Sequence, residues 1–299
     1  MDSQYRMKTF ATSPKTEPTS AIPCVLCGSS AFEPLWDLGA FSFVHCVQCG
    51  LVQQNPQPDE DFVLARYDNI YKDYEVARQG DYARLEMLAL GDLRFPATEA
   101  AARDRAASEG RRPRFLDVGC ATGALMAGLI DSGWECVGVE PCEPAALFGR
   151  ETFGLDIRVT VLEKASLPSR AFDVVHASHV IEHLNDPALF LAEAQRLIVP
   201  GGRLIVTTPN IDGLQARILG SRWRSAIYDH LYLFSKKNLK LLLERNGFEV
   251  IRTATWGGWA AGLRPAFIKK PFDRAVKAIG LGDVMAFLCE PRAVDDRQP

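Results

Sequence analysis

The sequence predicts an α/β protein: a doubly wound sheet of seven strands, preceded by a small metal-binding ribbon and a helical linker. Two observations support this prediction. From residue 114 onward, apolar runs of strand length alternate with segments of helical periodicity, which is the pattern of a parallel sheet with helices on both faces. Upstream, four cysteines form two C-x₂-C pairs at a separation that suits one tetrahedral metal site.

Length and composition set the class of protein. With 299 residues, 47% of them hydrophobic and 24% charged, the chain resembles an ordinary soluble protein with one large domain and a small appendage. The N-terminal segment has no apolar core of the kind found in signal peptides, and no run of about 18 apolar residues predicts a membrane span. Eight cysteines in this context favour reduced thiols or metal ligands over disulfides. We therefore expect a cytoplasmic protein.

Changes of composition along the chain predict five segments. Residues 1–23 are polar and contain Pro, Ser and Thr, and Pro23 ends what we expect to be a disordered lead-in. The other segments are a zinc-ribbon-like unit at 24–58, a helical linker or cap at 59–110, a main domain at 111–290 with insertions at 211–233 and 256–282, and a tail at 291–299.

The cysteines of the ribbon are Cys24, Cys27, Cys46 and Cys49, with 18 residues between the two pairs. Each pair places two sulfurs on one tight turn, and two such turns complete a tetrahedron around Zn²⁺. Four protein ligands leave no open position for water, so the site should be structural, and so small a unit would draw much of its stability from the metal. The alternatives are four ordinary buried cysteines, or a site in which His45 replaces one sulfur.

The segment that follows the ribbon is predicted to be rich in helix over 59–109. Tyr67, Tyr71 and Tyr74 fall at i, i+4 and i+7, which places them on one helical face. For this stripe, core packing is favoured over a ligand-binding role. Further helical regions are expected around 81–94 and 97–108.

The main domain begins with a strand at 114–118, and its other elements follow in alternation. Helices are predicted at 122–132, 143–153, 187–197 and 236–246, and strands at 135–141, 156–159, 172–177, 203–208, 248–254 and 283–289. Pro200–Gly202 predicts a turn before the fifth strand. Ser235 is expected to cap the helix that starts at 236, and Gly247 to end it.

The first strand runs into Asp117–Gly123, where an apolar run stops at an acidic residue and passes through two glycines into a helix. Gly119 and Gly123 allow a close backbone approach, which is typical of a nucleotide site. The spacing is G-x-x-x-G rather than G-x-G-x-x-G, and Asp117 would repel a pyrophosphate. The turn therefore favours a positively charged nucleoside cofactor over NAD. Glu140, 17 residues after Gly123 at a strand end, can accept two hydrogen bonds from a ribose diol.

Together, the motifs DVGCATG, VGVEP, FDVVHASHVIEHL, LIVPGGRLIVTTPN and LFSKKNLKLLLERNGF resemble those of the class I S-adenosylmethionine-dependent methyltransferases. The resemblance covers about 114–254 and the final strand. It implies a Rossmann-like sheet of seven strands, S-adenosylmethionine as cofactor, and transfer of its methyl group. The segment CVLCGSSAFEPLWDLG…CVQCGLVQQNPQP also resembles the zinc ribbon that precedes this domain in a subset of bacterial methyltransferases.

The resemblance also implies which residues contact the cofactor. Asp117 would help to hold the methionine end, backbone groups around Gly119 would contact the cofactor, and Glu163 or the backbone at Lys164 would lie beside the adenine. Glu163 and Lys164 also fit a plain helical or surface role. The full predicted set is Asp117, Gly119, Cys120, Ala121, Thr122, Gly123, Glu140, Pro141, Glu163, Lys164, Ser178 and His179, of which the last two should also border the methyl acceptor.

Three histidines are candidates for a catalytic base. A hydroxyl or carbon acceptor must lose a proton, and histidine titrates near neutral pH. His179 follows the fourth strand, and His230 precedes a stretch that lines the acceptor side in this family. His183 is the third candidate, although Glu182 and His183 could instead cap and brace the loop after the strand. Whether oxygen, nitrogen or carbon is methylated stays open.

The two insertions predict the acceptor pocket. Residues 211–277 contain 13 Lys and Arg against 5 Asp and Glu, a local net charge of +8 in a chain whose net charge is −3, and they mix these charges with aromatic residues. We therefore expect a small anionic acceptor, such as a sugar nucleotide or an intermediate of natural-product or cell-envelope synthesis. A solvated basic surface is the other interpretation.

Three other functions are alternatives. An RNA methyltransferase could use the ribbon to recognise RNA, but residues 1–60 carry three Lys and Arg against six Asp and Glu, which does not suit phosphate contacts. The chain could also bind S-adenosylmethionine without catalysing transfer, although Asp117 and Glu140 argue for a working site. A lipid-linked acceptor is the third alternative, because the Trp, Phe, Lys and Arg residues of 256–272 could rest on a membrane surface.

Overall fold

The N-terminal part of the chain forms a small antiparallel sheet followed by three helices. The computed structural model describes residues 19–257 and 266–292. The strands are β1 (Thr19–Ser20), β2 (Phe32–Asp37), β3 (Ser42–Cys46), β4 (Val52–Gln54) and β5 (Gln57–Pro58), and the helices are α1 (Glu60–Leu64), α2 (Asn69–Asp92) and α3 (Phe95–Ser108). β2, β3 and β4 pair in that order beside the two cysteine turns.

The lead-in differs from the sequence prediction. Of the residues expected to be disordered, 1–18 lie outside the described residues. β1, however, pairs with β5 in antiparallel fashion. The Asn55 side chain adds two hydrogen bonds to the backbone of Ile22, at 3.1 and 3.2 Å. The prediction of disorder was therefore wrong for 19–23, because β5 and Asn55 supply partners for this stretch of backbone.

The main domain contains a seven-stranded sheet in the order β8-β7-β6-β9-β10-β13-β12. Its elements are β6 (Arg114–Val118), α4 (Ala124–Asp131), β7 (Glu135–Val139), α5 (Glu143–Phe153), β8 (Asp156–Arg158), β9 (Phe172–Ser178), α6 (Pro187–Leu197), β10 (Ile198–Pro209), α7 (Leu214–Leu219), β11 (Tyr232–Leu233), α8 (Lys236–Arg245), β12 (Phe248–Trp256), α9 (Ala266–Ala278) and β13 (Val284–Pro291). This sheet confirms the predicted Rossmann-like, doubly wound fold class.

The direction of β13 departs from a purely parallel sheet. β13 runs antiparallel to both of its neighbours, β10 and β12, while β8, β7, β6, β9 and β10 are parallel. Apolar strand patterns are the same for both chain directions, so the sequence contains no signal for this reversal.

In the second half of the domain, the predicted ends of α8 are confirmed, whereas the predicted turn before the fifth strand is wrong. Ser235 caps α8, since its side chain accepts a hydrogen bond from Asn238 N at 3.1 Å, and Gly247 follows the helix with φ +80°. The predicted turn at Pro200–Gly202 instead lies inside β10. The strand absorbs it by shifting its register against β9 between Ile198 and Arg203.

The ribbon and the main domain share one hydrophobic core. Cys24, Leu26, Cys46 and Leu51 belong to the same buried cluster as side chains of β6, β9, β10 and α8. β4 also pairs with β11, so the sheet β11-β4-β3-β2 joins the ribbon to the insertion after β10. The ribbon is therefore built into the main domain.

The helical linker covers one end of the seven-stranded sheet. α2 packs against α4 and α5 and contributes side chains to the cavity at the carboxyl ends of the strands. Asp68 caps α2 by accepting hydrogen bonds from the backbone N–H groups of Ile70 and Tyr71, at 2.8 and 3.1 Å. Among the residues that the structure describes, no helix is long and apolar enough to cross a membrane.

Candidate active site

A cavity of about 1010 Å³ opens at the carboxyl ends of β6, β7, β9 and β10, with α2 as its opposite wall. Open α/β sheets bind their ligands at this edge. The cavity brings together all of the predicted cofactor-binding and catalytic residues except Gly123. Its walls include Asp117, Gly119, Cys120, Ala121, Thr122, Glu140, Pro141, Glu163, Lys164, Ser178, His179, His183 and His230.

The glycine turn takes the shape that its two glycines permit. Gly119 has φ +68°, and a Cβ at this position would lie 2.5 Å from Val180 Cγ2. Its N–H donates to the Val139 carbonyl at 2.8 Å, which holds the turn against β7. Gly123, with φ +74°, starts α4, and a Cβ there would collide with the Leu155 side chain. Gly119 therefore shapes the cavity wall, whereas Gly123 shapes the packing behind it.

Glu140 is held in place by the glycine turn. Its carboxylate accepts hydrogen bonds from Ala121 N at 2.9 Å and from Cys142 N at 2.8 Å, and the residue is 1% exposed. Burial, helped by the charge of Asp117, raises the pKa of the Glu140 carboxyl to about 7 against the effect of the two N–H groups. Each carboxylate oxygen keeps a lone pair, so Glu140 can still accept hydrogen bonds from a ligand.

Asp117 has a buried partner that the sequence analysis missed. His176 Nδ1 lies 2.8 Å from Asp117 Oδ1, across the β6–β9 pairing that sets the two residues side by side. Burial alone would lower the pKa of His176, but the charge of Asp117 and this hydrogen bond raise it. A polar residue in the middle of the apolar strand β9 was the available signal.

The tyrosine stripe faces the cavity, so its interpretation as core packing was wrong. Tyr67, Tyr71 and Tyr74 all line the cavity, and the rings of Tyr67 and Tyr71 meet edge to face at 5.1 Å. For Tyr71 and Tyr74 the reason is the position of α2, which lies across the end of the sheet rather than inside the core. Tyr67 precedes this helix, so the three rings do not share one helical face as predicted. Aromatic rings on this wall can stack on a planar ligand.

The cavity collects carboxyl groups whose pKa values are raised. Burial and the charge of Glu140 raise the pKa of Glu75, on α2, to about 7. Burial and the charge of Asp117 raise the pKa of Glu86, about three turns further along the same face of α2, to about 7, although His176 acts in the opposite direction. A ligand with positive charge would relieve this crowding, because it favours the ionised carboxylates.

His179 is oriented by a buried carboxylate. His179 has φ +56°, and its Nδ1 lies 3.0 Å from Glu182 Oε1. The other carboxylate oxygen of Glu182 accepts a hydrogen bond from Thr208 Oγ1 at 2.9 Å. Burial would raise the pKa of Glu182, but the hydrogen bond from His179 and the nearby histidines lower it to about 2. Glu182 is therefore ionised and holds the His179 ring at the cavity wall.

His183 and His230 meet on the same side of the cavity. His183 Nδ1 lies 2.7 Å from the Asp229 carbonyl, and His230 Nδ1 lies 2.8 Å from the Ser225 carbonyl. The two rings are 4.8 Å apart and nearly perpendicular. Burial lowers the pKa of His230 to about 3, with a further contribution from the charge of His183. The ring of His230 is thus only weakly basic, which argues against its expected role as a base.

The ribbon supports the segment that carries His230. Gln54 is fully buried, and its Nε2 donates to the carbonyls of Tyr228 and His230, both at 2.7 Å. Its backbone N–H donates to the Leu231 carbonyl at 2.8 Å. The sequence analysis missed Gln54, whose signal was a glutamine between apolar residues in a short strand. The zinc-ribbon-like segment therefore supports the wall on the histidine side from behind, without lining the cavity itself.

Arg224 of the first insertion is paired within the fold. Asp283 accepts hydrogen bonds from Trp223 Nε1 and Arg224 Nε, both at 2.6 Å. Arg224 nevertheless keeps a half-exposed side chain that lines the cavity. Of the second insertion, Trp256 lines the cavity, while residues 258–265 lie outside the described residues.

The four ribbon cysteines converge as the sequence predicted. Cys24 Sγ lies 3.4 Å from Cys49 Sγ, and Cys27 Sγ lies 3.5 Å from Cys46 Sγ. All four sulfurs lie within 4.8 Å of one another. Burial opposes ionisation of Cys46, but hydrogen bonds from backbone N–H groups and from Cys27 lower its pKa to about 7. Burial raises the pKa values of the Cys24 and Cys49 thiols. The close approach of the four sulfurs is therefore the feature that fits a tetrahedral Zn²⁺.

Comparison with known proteins gives relatives of one class. The ubiquinone biosynthesis O-methyltransferase of Cereibacter sphaeroides strain ATCC 17029 is 33% identical over 117 residues, which are 37% of this chain and 47% of that protein. The protein of the same name from Hahella chejuensis is 36% identical over 114 residues, or 36% and 47% of the two chains. The chain thus spans about half the length of the curated relatives it matches.

A solved S-adenosylmethionine-dependent methyltransferase of Thermotoga maritima, described as a possible histamine N-methyltransferase, is 21% identical with a TM-score of 0.48, over 67% of this chain and 94% of that chain. Residues 93–253 match the family of methyltransferase domains, which is more than half of the 299 residues. With this match and the seven-stranded sheet described above, the chain belongs to the class I S-adenosylmethionine-dependent methyltransferase family.

Proposed function

We propose that this protein transfers the methyl group of S-adenosylmethionine to a hydroxyl oxygen of a small acceptor. The observation that carries the proposal is a cavity in which an acidic half, with Asp117 and Glu140, continues into a histidine half, with His179, His183 and His230. The sulfonium donor would occupy the acidic half, and the acceptor would lie against the histidines.

The acidic half suits each part of the donor. Glu140 would accept the ribose hydroxyls, Asp117 would lie at the methionine end, and Glu163 or Lys164 would lie beside the adenine, as all four line the cavity. The carboxylates on both walls would attract the ammonium and sulfonium groups. The aromatic side chains of α2 would keep water from the donor.

The histidine half suits removal of a proton. Methyl transfer requires the acceptor oxygen in line with the methyl–sulfur bond at near-contact distance, which is a matter of positioning. Positive charge disappears during the reaction, so exclusion of water favours it. His179 is the proposed base, because Glu182 accepts its Nδ1–H and leaves Nε2 to take the proton of the hydroxyl.

The acceptor is proposed to be a small hydroxyl compound with an acidic group. The curated relatives carry the name O-methyltransferase, which supports an oxygen acceptor. Arg224 lines the histidine half with a half-exposed guanidinium, which could face a carboxylate or phosphate of the acceptor. Sugar nucleotides and acidic natural-product or cell-envelope intermediates belong to this class.

We also propose that Cys24, Cys27, Cys46 and Cys49 hold a structural Zn²⁺. The four sulfurs lie close enough together to bind one ion, and the backbone N–H groups that lower the pKa of Cys46 favour the thiolate. A closed four-thiolate site offers no position for substrate, so the ion would stabilise the ribbon and not take part in the reaction.

His179→Gln tests the proposed base. Turnover on hydroxyl acceptors should fall on the order of 10²- to 10⁴-fold, the usual contribution of a general base. The fall in turnover at acid pH, which reports protonation of the base, should be absent in this variant. Turnover would be measured as the amount of S-adenosylhomocysteine formed. The acceptors would be used in pairs of which one member carries a carboxylate or phosphate that the other lacks. His45→Gln in the ribbon serves as the control variant. Full turnover of His179→Gln between pH 6 and 9 would rule out this role.

The raised carboxyl pKa values predict how cofactor affinity depends on pH. Glu75, Glu86 and Glu140 have pKa values of about 7, and a bound cation favours their ionised forms. Affinity for S-adenosylmethionine, whose sulfonium and ammonium groups are cationic, should therefore rise as the pH goes from about 5.5 to about 8, as measured by calorimetry. Glu75→Gln should flatten this rise. An affinity independent of pH in the wild-type protein would contradict the assignment.

Gln54→Leu tests the link between the ribbon and the acceptor side. The substitution leaves two buried carbonyls without their donor, which costs about 1–3 kcal/mol each. We expect turnover to fall at least about tenfold through misplacement of the His230 segment, while the dissociation constant of S-adenosylhomocysteine stays unchanged. Gln53→Leu is the matched control, since Gln53 is a buried neighbour on the same strand whose Nε2 contacts Pro23 O at 3.5 Å. Equal turnover in the two variants would count against the link.

A further inference from the structure

Three side chains on the acceptor side form a cluster of metal-ligand type. One ligand atom each of Glu182, His183 and His230 lies within 4.8 Å of the other two. Two imidazoles and one carboxylate are a ligand set found in zinc enzymes and in other divalent-metal sites. Glu182 and His183 come from the loop after β9 and His230 from the insertion after β10, so the fold brings together two separate segments of the chain.

The tautomers of the two histidines are set for metal binding. Each Nδ1 lies within 2.8 Å of a backbone carbonyl, of Asp229 for His183 and of Ser225 for His230, and a carbonyl can only accept. Both Nδ1 atoms therefore carry the proton, and both Nε2 atoms keep their lone pairs. A hydrogen bond from the second ring nitrogen to a carbonyl is the usual support of a metal-bound histidine. Both rings also line the cavity.

Glu182 supplies the negative charge of the set. Glu182 is fully buried. Its Oε2 accepts a hydrogen bond from Thr208 Oγ1 at 2.9 Å, and its Oε1 lies 3.0 Å from His179 Nδ1. A carboxylate oxygen accepts more than one bond, so each oxygen keeps capacity for a cation. A buried carboxylate needs a compensating charge, and His179, whose side chain is 46% exposed, gives Glu182 a hydrogen bond but serves as the proposed base with Nε2 free of a proton. A bound cation would supply the compensating charge.

We propose that Glu182, His183 and His230 bind a divalent cation of borderline softness, such as Zn²⁺ or Co²⁺, beside the bound acceptor. The role of this cation in the reaction rests on the proposed function of methyl transfer to a hydroxyl oxygen. Coordination of the acceptor oxygen would favour loss of its proton. The O–H bond breaks and the proton goes to His179 Nε2, while the oxygen forms the new bond to the methyl carbon. The carbon–sulfur bond breaks with its electron pair staying on sulfur, so donor and acceptor balance without a redox partner.

The cluster also admits a simpler role as a brace of the loop after β9. The Nδ1 hydrogen bonds of His183 and His230 are sufficient for bracing, and they need no function for the Nε2 atoms. The placement of both rings in the cavity wall, 4.8 Å apart, beside an ionised carboxylate is what points to a cation. The two roles make opposite predictions for metal binding.

The test is a Co²⁺ titration of the full-length protein after its ribbon has been filled with one equivalent of Zn²⁺. We expect one further Co²⁺ per chain, with weak nitrogen and oxygen ligand-field bands and without the thiolate charge-transfer bands of a cysteine site. Affinity should fall at least tenfold in His183→Gln and in His230→Gln and stay unchanged in His45→Gln. Calorimetry with S-adenosylhomocysteine shows whether each variant is folded. A zinc-filled protein that takes up no Co²⁺, or folded variants that bind it as the wild type does, would overturn the proposal.

A second measurement needs no variant. In the wild-type protein, bound Co²⁺ should shift the imidazole proton resonances of the two coordinating histidines most strongly among the five in the chain. Unshifted imidazole signals at saturating Co²⁺ would overturn the site. Neither measurement uses the acceptor, so loss of the metal site and loss of the proposed reaction are distinguishable outcomes.

Discussion

Glu140→Ala is expected to weaken binding of S-adenosylhomocysteine on the order of 100-fold. The ribose would lose two hydrogen bonds to a buried carboxylate, each worth about 1.5 kcal/mol or more. The substitution also removes the acceptor for Ala121 N and Cys142 N, so the glycine turn loses one of its attachments to the end of β7, another being the Gly119–Val139 hydrogen bond. Cofactor affinity should therefore fall for two reasons, which are the lost hydrogen bonds to the ribose and the weaker support of the glycine turn.

The matched control for this variant is Glu143→Ala. Glu143 is an exposed glutamate three residues further along, at the start of α5. Its removal leaves the cavity untouched, so the calorimetric affinity should equal that of the wild type. If Glu140→Ala and Glu143→Ala bound S-adenosylhomocysteine equally well, Glu140 would have no role at the ribose.

Cys46→Ser is expected to destabilise the whole protein and not the ribbon alone. Cys46 is fully buried in the core that the ribbon shares with the main domain. Structural zinc contributes about 10–16 kcal/mol to the folding of isolated zinc fingers, so loss of one ligand should cost several kcal/mol here. At about 2–4 °C per kcal/mol for a domain of this size, the melting temperature should fall by at least about 10 °C.

Elemental analysis and thermal unfolding check this expectation together. Wild-type protein should contain zinc in the ribbon, and Cys46→Ser should lose it. Cys136→Ser, which changes a half-buried thiol on β7 outside the ribbon, should retain the metal. A Cys46→Ser protein with full zinc content and an unchanged melting temperature would show that the four cysteines are ordinary core residues.

The features that the sequence predicted well are the local ones. The turn from Asp117 to Gly123 and the acid at Glu140 lie in one β–α–β unit, where strand, turn and helix signals follow each other closely. Ser235 and Gly247 mark the ends of α8 for the same reason. Such features depend on backbone geometry and on neighbours a few residues away, which the sequence specifies directly.

The features that the sequence did not predict depend on contacts between distant segments. Gln54 reaches carbonyls 174 and 176 residues away, and no local pattern connects a ribbon strand to the insertion after β10. Tyr71 and Tyr74 have the spacing of a core stripe, and only the placement of α2 turns them toward the cavity. The pairing of Asp117 with His176 follows from the order of β6 and β9 in the sheet.

The chemical roles of the three histidines also depend on contacts between distant segments. His179, His183 and His230 could be named as candidates from residue type and position, but their roles depend on burial and on hydrogen-bond partners. Glu182 orients His179, whereas burial lowers the pKa of His230 to about 3. The structure therefore separates one proposed base from two proposed metal ligands, which the sequence could only group together.

The most direct test of the account is a crystal structure of the protein with S-adenosylhomocysteine. Both ribose hydroxyls should lie within hydrogen-bonding distance of the Glu140 carboxylate, about 2.5–3.0 Å, and the sulfur should face the side of the cavity formed by His179, His183 and His230. A nucleoside that lies elsewhere, or a sulfur that points away from these histidines, would contradict the proposed arrangement of donor and acceptor.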